Sequence, residues 1–188
     1  MILKIEKYGS DKLRQPAQRV AVTPELVVLA EDMLETMLWE LDKAEDFIFL
    51  EYFIIGQGVM WDGILEILKE KAAAGVDVRV MYDDFGCITT LPSDYYKQLR
   101  QWGIQAKVFN PFLPILSGRL NNRDHRKLMI IDGKVGFTGG INLADEYINA
   151  YEKHGHWKDS ALRVEGKAAW SLTLIFLEMW MLMGHGED

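Results

Sequence analysis

Hydrophobic positions along the chain switch between two periods, and the switches predict alternating helices and strands. Leu26, Leu29, Met33, Met37 and Leu41 recur at three- and four-residue steps, which makes one apolar helix face. Thr23 suits the N-cap of that helix and Pro24 its first position, and the pattern carries it to about Lys43. The stretch 46–55, DFIFLEYFII, is apolar almost throughout and reads as a central strand covered on both faces. A helix over 61–74 follows, stopped by Gly75, and then an alternating strand over 76–82. Strand, helix and strand over this length form a βαβ unit, so the two strands are expected to run parallel. A short helix over 94–102, ended by Gly103, leads to a strand over 104–109. Two strands over 128–131 and 134–138 flank Asp132-Gly133, a pair that favours a two-residue hairpin turn. LADEYINAYEK reads as a helix running into a loop, 160–164 as a strand and 167–183 as the last helix. Residues 1–22 read as an irregular lead-in with room for a short strand over 2–5, and no internal repeat occurs.

Length and composition narrow this to one α/β domain over residues 1–188, with a mixed, mostly parallel sheet flanked by helices on both faces. The chain has 188 residues and is 49% hydrophobic, enough for a sizeable core. Its net charge of −7 argues against a general nucleic-acid binder, so no nucleic-acid partner is expected. Cys87 is the only cysteine, which rules out a disulfide framework. The first residues lack the apolar core of a signal peptide. The apolar run 168–183 is short of a membrane span and is interrupted by Glu178. It reads first as a buried helix and second as an interfacial one. The chain is accordingly expected to be soluble.

Candidate chemistry gathers in NNRDHRKLMIIDGKVGFTGGIN, residues 121–142. His125, Lys127 and Asp132 stand in an H-x-K-x4-D spacing, followed by Gly139 and Asn142. In an extended chain His125 and Lys127 share a face, whereas Asp132 has the opposite parity. The imidazole can act as nucleophile or acid/base near neutral pH, and the ammonium can hold phosphate oxygens. The Asn142 amide can donate one more hydrogen bond to such an oxygen. Gly139 and Gly140 let the backbone approach a ligand or take an unusual φ. Glu51, a carboxylate in an apolar strand, needs either a place at the pocket end of the sheet or a structural cation. Asp83 and Asp84 read first as a turn and second as a pocket rim or metal pair, and His154 and His156 first as a mobile surface loop and second as metal ligands. The long loop over 110–124 is expected to line or cover the site. No metal and no cofactor is expected.

The 121–142 constellation resembles the HKD motif of the phospholipase D superfamily. YFIIGQG, VMYDDFG, NPFLP, DEY and HWKDSALRVEG extend the likeness over roughly residues 20–180. They look like the amino-terminal catalytic half of bacterial cardiolipin synthases, a branch that commonly has Gly-Gly where others have Gly-Ser. The resemblance implies two displacements at phosphorus through a phosphatidyl-histidine, without metal or cofactor. It implies phosphatidylglycerol as donor and acceptor, glycerol as leaving group, and a parent protein at the cytoplasmic membrane surface. It makes His125 the nucleophile or its acid/base partner. Lys127 and Asn142, with Gly139 and Gly140, then bind the phosphate. Asp159 matches the carboxylate that orients the histidine ring. Asp132 belongs to the catalytic motif, although its parity gives it a supporting place. The family uses two motifs per site and this chain carries one, because His154, His156 and His185 lack the following Lys and Asp. An excised half exposes apolar surface, so a second motif-bearing half or a homodimer is the expected partner. A phosphodiesterase or nuclease on the same fold, or a catalytically silent half, are the competing readings.

Overall fold

The computed structural model describes residues 24–111, 122–153 and 155–184, with side chains from residue 33 onward. Thr23, the strand over 2–5, most of the 110–124 loop, His154 and His185 lie outside the described residues. The elements are α1 (Pro24–Asp42), β1 (Phe47–Tyr52), α2 (Val59–Ala73), β2 (Asp77–Asp83), α3 (Asp84–Cys87), α4 (Tyr95–Gln101) and β3 (Gln105–Phe109). They continue with β4 (Lys127–Ile131), β5 (Val135–Gly139), a 3-10 turn (Asp145–Ile148), β6 (Ala161–Glu165) and α5 (Lys167–Leu182).

Among the described residues, six strands form one mixed sheet in the order β3-β2-β1-β4-β5-β6. β1 pairs in parallel with β2, and β2 with β3, as the βαβ pattern predicts. The β1–β4, β4–β5 and β5–β6 seams are antiparallel. β1, β2, β3 and β5 therefore run the same way, so the expectation of a mostly parallel sheet holds for strand direction but fails for pairing. The reason is local: antiparallel neighbours can be joined by tight turns, whereas parallel ones need a crossover. The first such turn is at Asp132 and Gly133, where φ is 52° and 62° and Lys134 N–H donates to Ile131 O at 3.0 Å. Both central residues are left-handed, as an Asp-Gly hairpin requires.

The period-two alternation of β1 sorts its side chains onto two cores. Ile48, Leu50 and Tyr52 face α1, α2 and α4, together with Val80, Met129 and Trp61. Trp61 Nε1 donates to Tyr95 OH at 2.7 Å, which ties α2 to α4. Phe49, Met81, Leu128 and Ile130 face the other way, against Phe176 and Trp180 of α5. The expectation of a buried last helix holds for that inner face alone. Trp170, Leu174, Ile175, Met181 and Leu182 are exposed on the outer face. Among the described residues no helix is long and apolar enough to cross a membrane.

Two charged arrangements fix the ends of β4. At its far end Asp132 accepts the backbone N–H groups of Phe47 (2.9 Å), Asp46 (2.8 Å) and Glu45 (3.1 Å) and so pins the start of β1. Burial works to raise the Asp132 pKa, but these hydrogen bonds and Lys134 outweigh it and hold the carboxyl below its ordinary range. At the near end Glu51 is buried on the α5 side of β1. Arg126 Nη2 stands 2.7 Å from Glu51 Oε1, and Arg126 Nε donates to Asp124 Oδ1 at 3.0 Å. Glu51 thus occupies the end of its strand and also meets a cation. Burial, then the hydrogen bond and charge of Asp124, push the Glu51 pKa up to about 9 against the pull of Arg126. Burial also works to raise Asp124, but the Glu51 hydrogen bond and Arg126 hold it low. Glu51 is therefore the carboxyl that keeps its proton, and Asp124 the one that stays ionised beside Arg126. Asp83 extends the network: it accepts from Gly86 N at 2.9 Å and Asp124 N at 3.2 Å, and Arg123 lies 3.5 Å away. The Asp83-Asp84 pair is thus a helix cap and a strap, in line with the turn reading.

Asp132→Ala strands three backbone donors and is expected to destabilise the fold by about 2–4 kcal/mol in urea titration. Glu51 gives a pH signature of the opposite sort. Between its ordinary 4.5 and about 9 the folded chain holds a proton that the unfolded chain has lost. This group's contribution to stability therefore falls as pH rises through that window. Glu51→Gln keeps a neutral donor and is expected to flatten the fall, gaining on the order of 1–3 kcal/mol over the native chain at about pH 8. Denaturant midpoints across pH check this.

Candidate active site

The site lies where β1 and β4 meet. Lys127, the first residue of β4, pairs with Tyr52, the last of β1. Its side chain is buried to 3% exposure, whereas His125 two residues earlier is open. Lys127 Nζ donates to His125 O at 2.7 Å and contacts His125 Nδ1 at 3.0 Å. The shared face predicted from strand parity therefore brings the two side chains together. Phe53, just past β1, completes this floor: its ring centroid is 4.7 Å from that of His125 and 5.4 Å from the Lys127 ammonium. Burial lowers the Lys127 pKa, opposed by the charges of Asp124 and Asp159. An ammonium can only donate, so Nδ1 accepts and the neutral imidazole carries its proton on Nε2.

Asn142 is buried beside this floor. Its Oδ1 accepts Ile54 N–H at 3.0 Å and its Nδ2 donates to Tyr147 OH at 2.8 Å. An amide NH2 has two donors, and the Tyr147 bond uses one. Within 143–153 the expected helix running into a loop is no more than the 3-10 turn, Asp145–Ile148, before the loop. Asp145 instead turns its carboxylate to Val59 N (3.1 Å) and Met60 N (2.9 Å), capping α2. Asn149 is left-handed, and its side chain bonds both the N–H (2.6 Å) and the O (3.0 Å) of Trp157. Helix-forming periodicity loses here to side chains that cap and turn the backbone.

Asp159 precedes β6 as expected. Its carboxylate accepts from Ser160 N at 2.7 Å and Trp157 Nε1 at 3.4 Å, and its charge reaches Lys127. Among the described residues it has no hydrogen bond to His125. Gly139 and Gly140 are closely packed. A side chain at Gly139 would collide with Ser160 O and Ala161, and one at Gly140 with the Asp159 carboxylate. The space they leave is filled by protein, and neither has a left-handed φ. Asp132 is the motif residue left out of the site. It sits beyond the opposite end of β4, about 17 Å along the strand from Lys127. Among the described residues no group of His, Cys, Asp and Glu has the arrangement of a metal site. Phe53, Tyr147 and Trp157 join the site without having been singled out; each lies inside a stretch that carries the family resemblance.

The family model described as the phospholipase D-like domain of cardiolipin synthase matches residues 37–180. The chain is 38% identical over 156 residues to a cardiolipin synthase of Listeria monocytogenes, covering 83% of this chain and 32% of that one. It is 41% identical over 154 residues to a cardiolipin synthase of Geobacillus kaustophilus, covering 81% and 30%. An uncharacterized protein of Streptococcus mutans is 55% identical over 150 residues, covering 80% and 32%. The chain thus spans about a third of the length of the curated relatives it matches. Its fold is similar to that of Nuc, a phospholipase D family member from Salmonella typhimurium, with a TM-score of 0.55 and 19% identity over 84% of this chain and 90% of that one. It is also similar to a phosphatidylserine synthase of Haemophilus influenzae, with a TM-score of 0.62 and 14% identity over 81% and 35%. With the sheet, the His125–Lys127 pair and the matched stretch all in agreement, the chain belongs to the phospholipase D-like domain family of cardiolipin synthases.

Proposed function

We infer that this chain carries one half of a phosphatidyltransferase site that joins two phosphatidylglycerols and releases glycerol. The observation that carries this reading is the buried Lys127 ammonium 3.0 Å from the Nδ1 of an open histidine. A phosphodiester entering here draws the ammonium onto its non-bridging oxygens, with the Asn142 amide as a further donor. Withdrawal of that donor frees Nδ1 to take the ring proton, which leaves a lone pair on Nε2. Asp159 then supports the Nδ1–H. Nε2 attacks phosphorus, the phosphorus–oxygen bond to glycerol breaks, and glycerol leaves with a proton from a second histidine. A second phosphatidylglycerol gives its hydroxyl proton back to that histidine and displaces His125.

The second histidine comes from a second half or a second copy, since one His-x-Lys set is present here. The exposed apolar face of α5 supports such a covering partner or a lipid surface. Both fit a protein that works at a membrane containing phosphatidylglycerol.

The test is to incubate the chain with phosphatidylglycerol vesicles and measure glycerol release, cardiolipin formation and intact protein mass. Wild type is expected to gain the mass of a phosphatidyl group, and His125→Ala to lose adduct and turnover by at least about a thousandfold. Glycerol release unchanged in His125→Ala would overturn the assignment. An adduct without cardiolipin would mean that this half attacks but lacks the base that takes the acceptor's hydroxyl proton in the second step.

A further inference from the structure

We propose that Tyr147 is a substrate-contacting residue, its hydroxyl donating to a non-bridging oxygen of the phosphodiester held by Lys127. Ile54 N–H can only donate, so the Asn142 atom 3.0 Å from it is the amide oxygen, and the orientation of the amide is settled. The other end of the amide, 2.8 Å from Tyr147 OH, is therefore the donor Nδ2. The phenol oxygen accepts from it and cannot direct its own proton back along that line. Among the described residues no acceptor takes the Tyr147 O–H.

The position of that proton matters. Tyr147 is half-buried, and burial, the first cause, together with Glu146 and Asp159 raises its pKa against the Asn142 bond. Its ring stands edge-on to Trp157, 5.0 Å between centroids, and Trp157 Nε1 is bonded to Asp159. Asn142, which holds the phenol, also takes the N–H of Ile54, the residue after Phe53, whose ring lies 5.4 Å from the Lys127 ammonium, so the phenol is tied to the edge of that floor. Asn142 polarises the phenol by donating to it, which strengthens the phenol as a donor. The Asn149 clasp on Trp157 holds the aromatic wall in place. A neutral donor suits the second oxygen of a phosphodiester, whose single charge Lys127 already meets. A second cation there would overcompensate it.

The inference rests on the reading of Lys127 as the phosphate seat, and the test separates the two. Inorganic phosphate and glycerol 3-phosphate are titrated into the chain, with Kd from calorimetry and with tyrosine 13Cζ labels followed by NMR. Lys127→Ala is expected to lose binding. Tyr147→Phe is expected to bind both ligands about tenfold more weakly at an unchanged Tm. The 13Cζ resonance missing in Tyr147→Phe is expected to shift in wild type with the same Kd. If Lys127→Ala loses binding while Tyr147→Phe binds as wild type, the Tyr147 inference falls and the seat stands. If Lys127→Ala binds as wild type, the seat falls and the inference with it. A Tyr147→Phe chain without a cooperative melt, or a Tyr147 resonance that ignores phosphate, makes the hydroxyl a packing bond to Asn142 and overturns the inference.

Discussion

A buried ammonium with no carboxylate in hydrogen-bond contact among the described residues is the constraint around which this domain is arranged. Lys127 is 3% exposed, and its nearest polar partners are the ring nitrogen and carbonyl of His125. Such a cation is costly to desolvate, and among the described residues Asp124 and Asp159 offset that cost at a distance. A closer carboxylate would satisfy the charge and remove its use. Holding the negative charges at arm's length leaves the ammonium attractive to an anion that arrives from solvent.

The two faces of the sheet divide the work. On the α1–α2 side the chain places Lys127 and the apolar residues beneath it. On the α5 side it places Glu51, Asp124 and Arg126, which clamp the segment carrying His125 without entering the reaction space. Side chains that alternate along β4 and its lead-in serve these two tasks in turn. The histidine can thus be exposed and still have a fixed backbone, because the residues on either side of it are anchored through the sheet.

Much of this was legible in the sequence because strand parity and turn chemistry are local. Sharing of a face by His125 and Lys127, the exclusion of Asp132 and the Asp-Gly turn all follow from period two and left-handed φ. Pairing of β4 against β1 was not legible, since register across a sheet depends on contacts far apart in sequence. The stretch after Asn142 misled for a related reason. Its composition suits a helix, but Asp145 and Asn149 spend their side chains on α2 and Trp157, partners that only the folded chain brings near. The close packing at Gly140 was likewise not legible. The Asp159 carboxylate that occupies the space comes from another strand's approach, invisible in the local pattern.

The position of Asp132 changes what the motif spacing means. Four residues separate Lys127 from Asp132 because β4 has to cross the sheet between them, from the site to the start of β1. The spacing is a ruler for one strand, with the His125–Lys127 pair at one end and a backbone staple at the other. A chain can therefore keep the aspartate and the full spacing after its chemistry has been lost, since the staple is needed wherever the sheet is. The pattern H-x-K-x4-D is in that sense two signals of different kinds, one for a fold and one for a reaction, and they can part company in evolution.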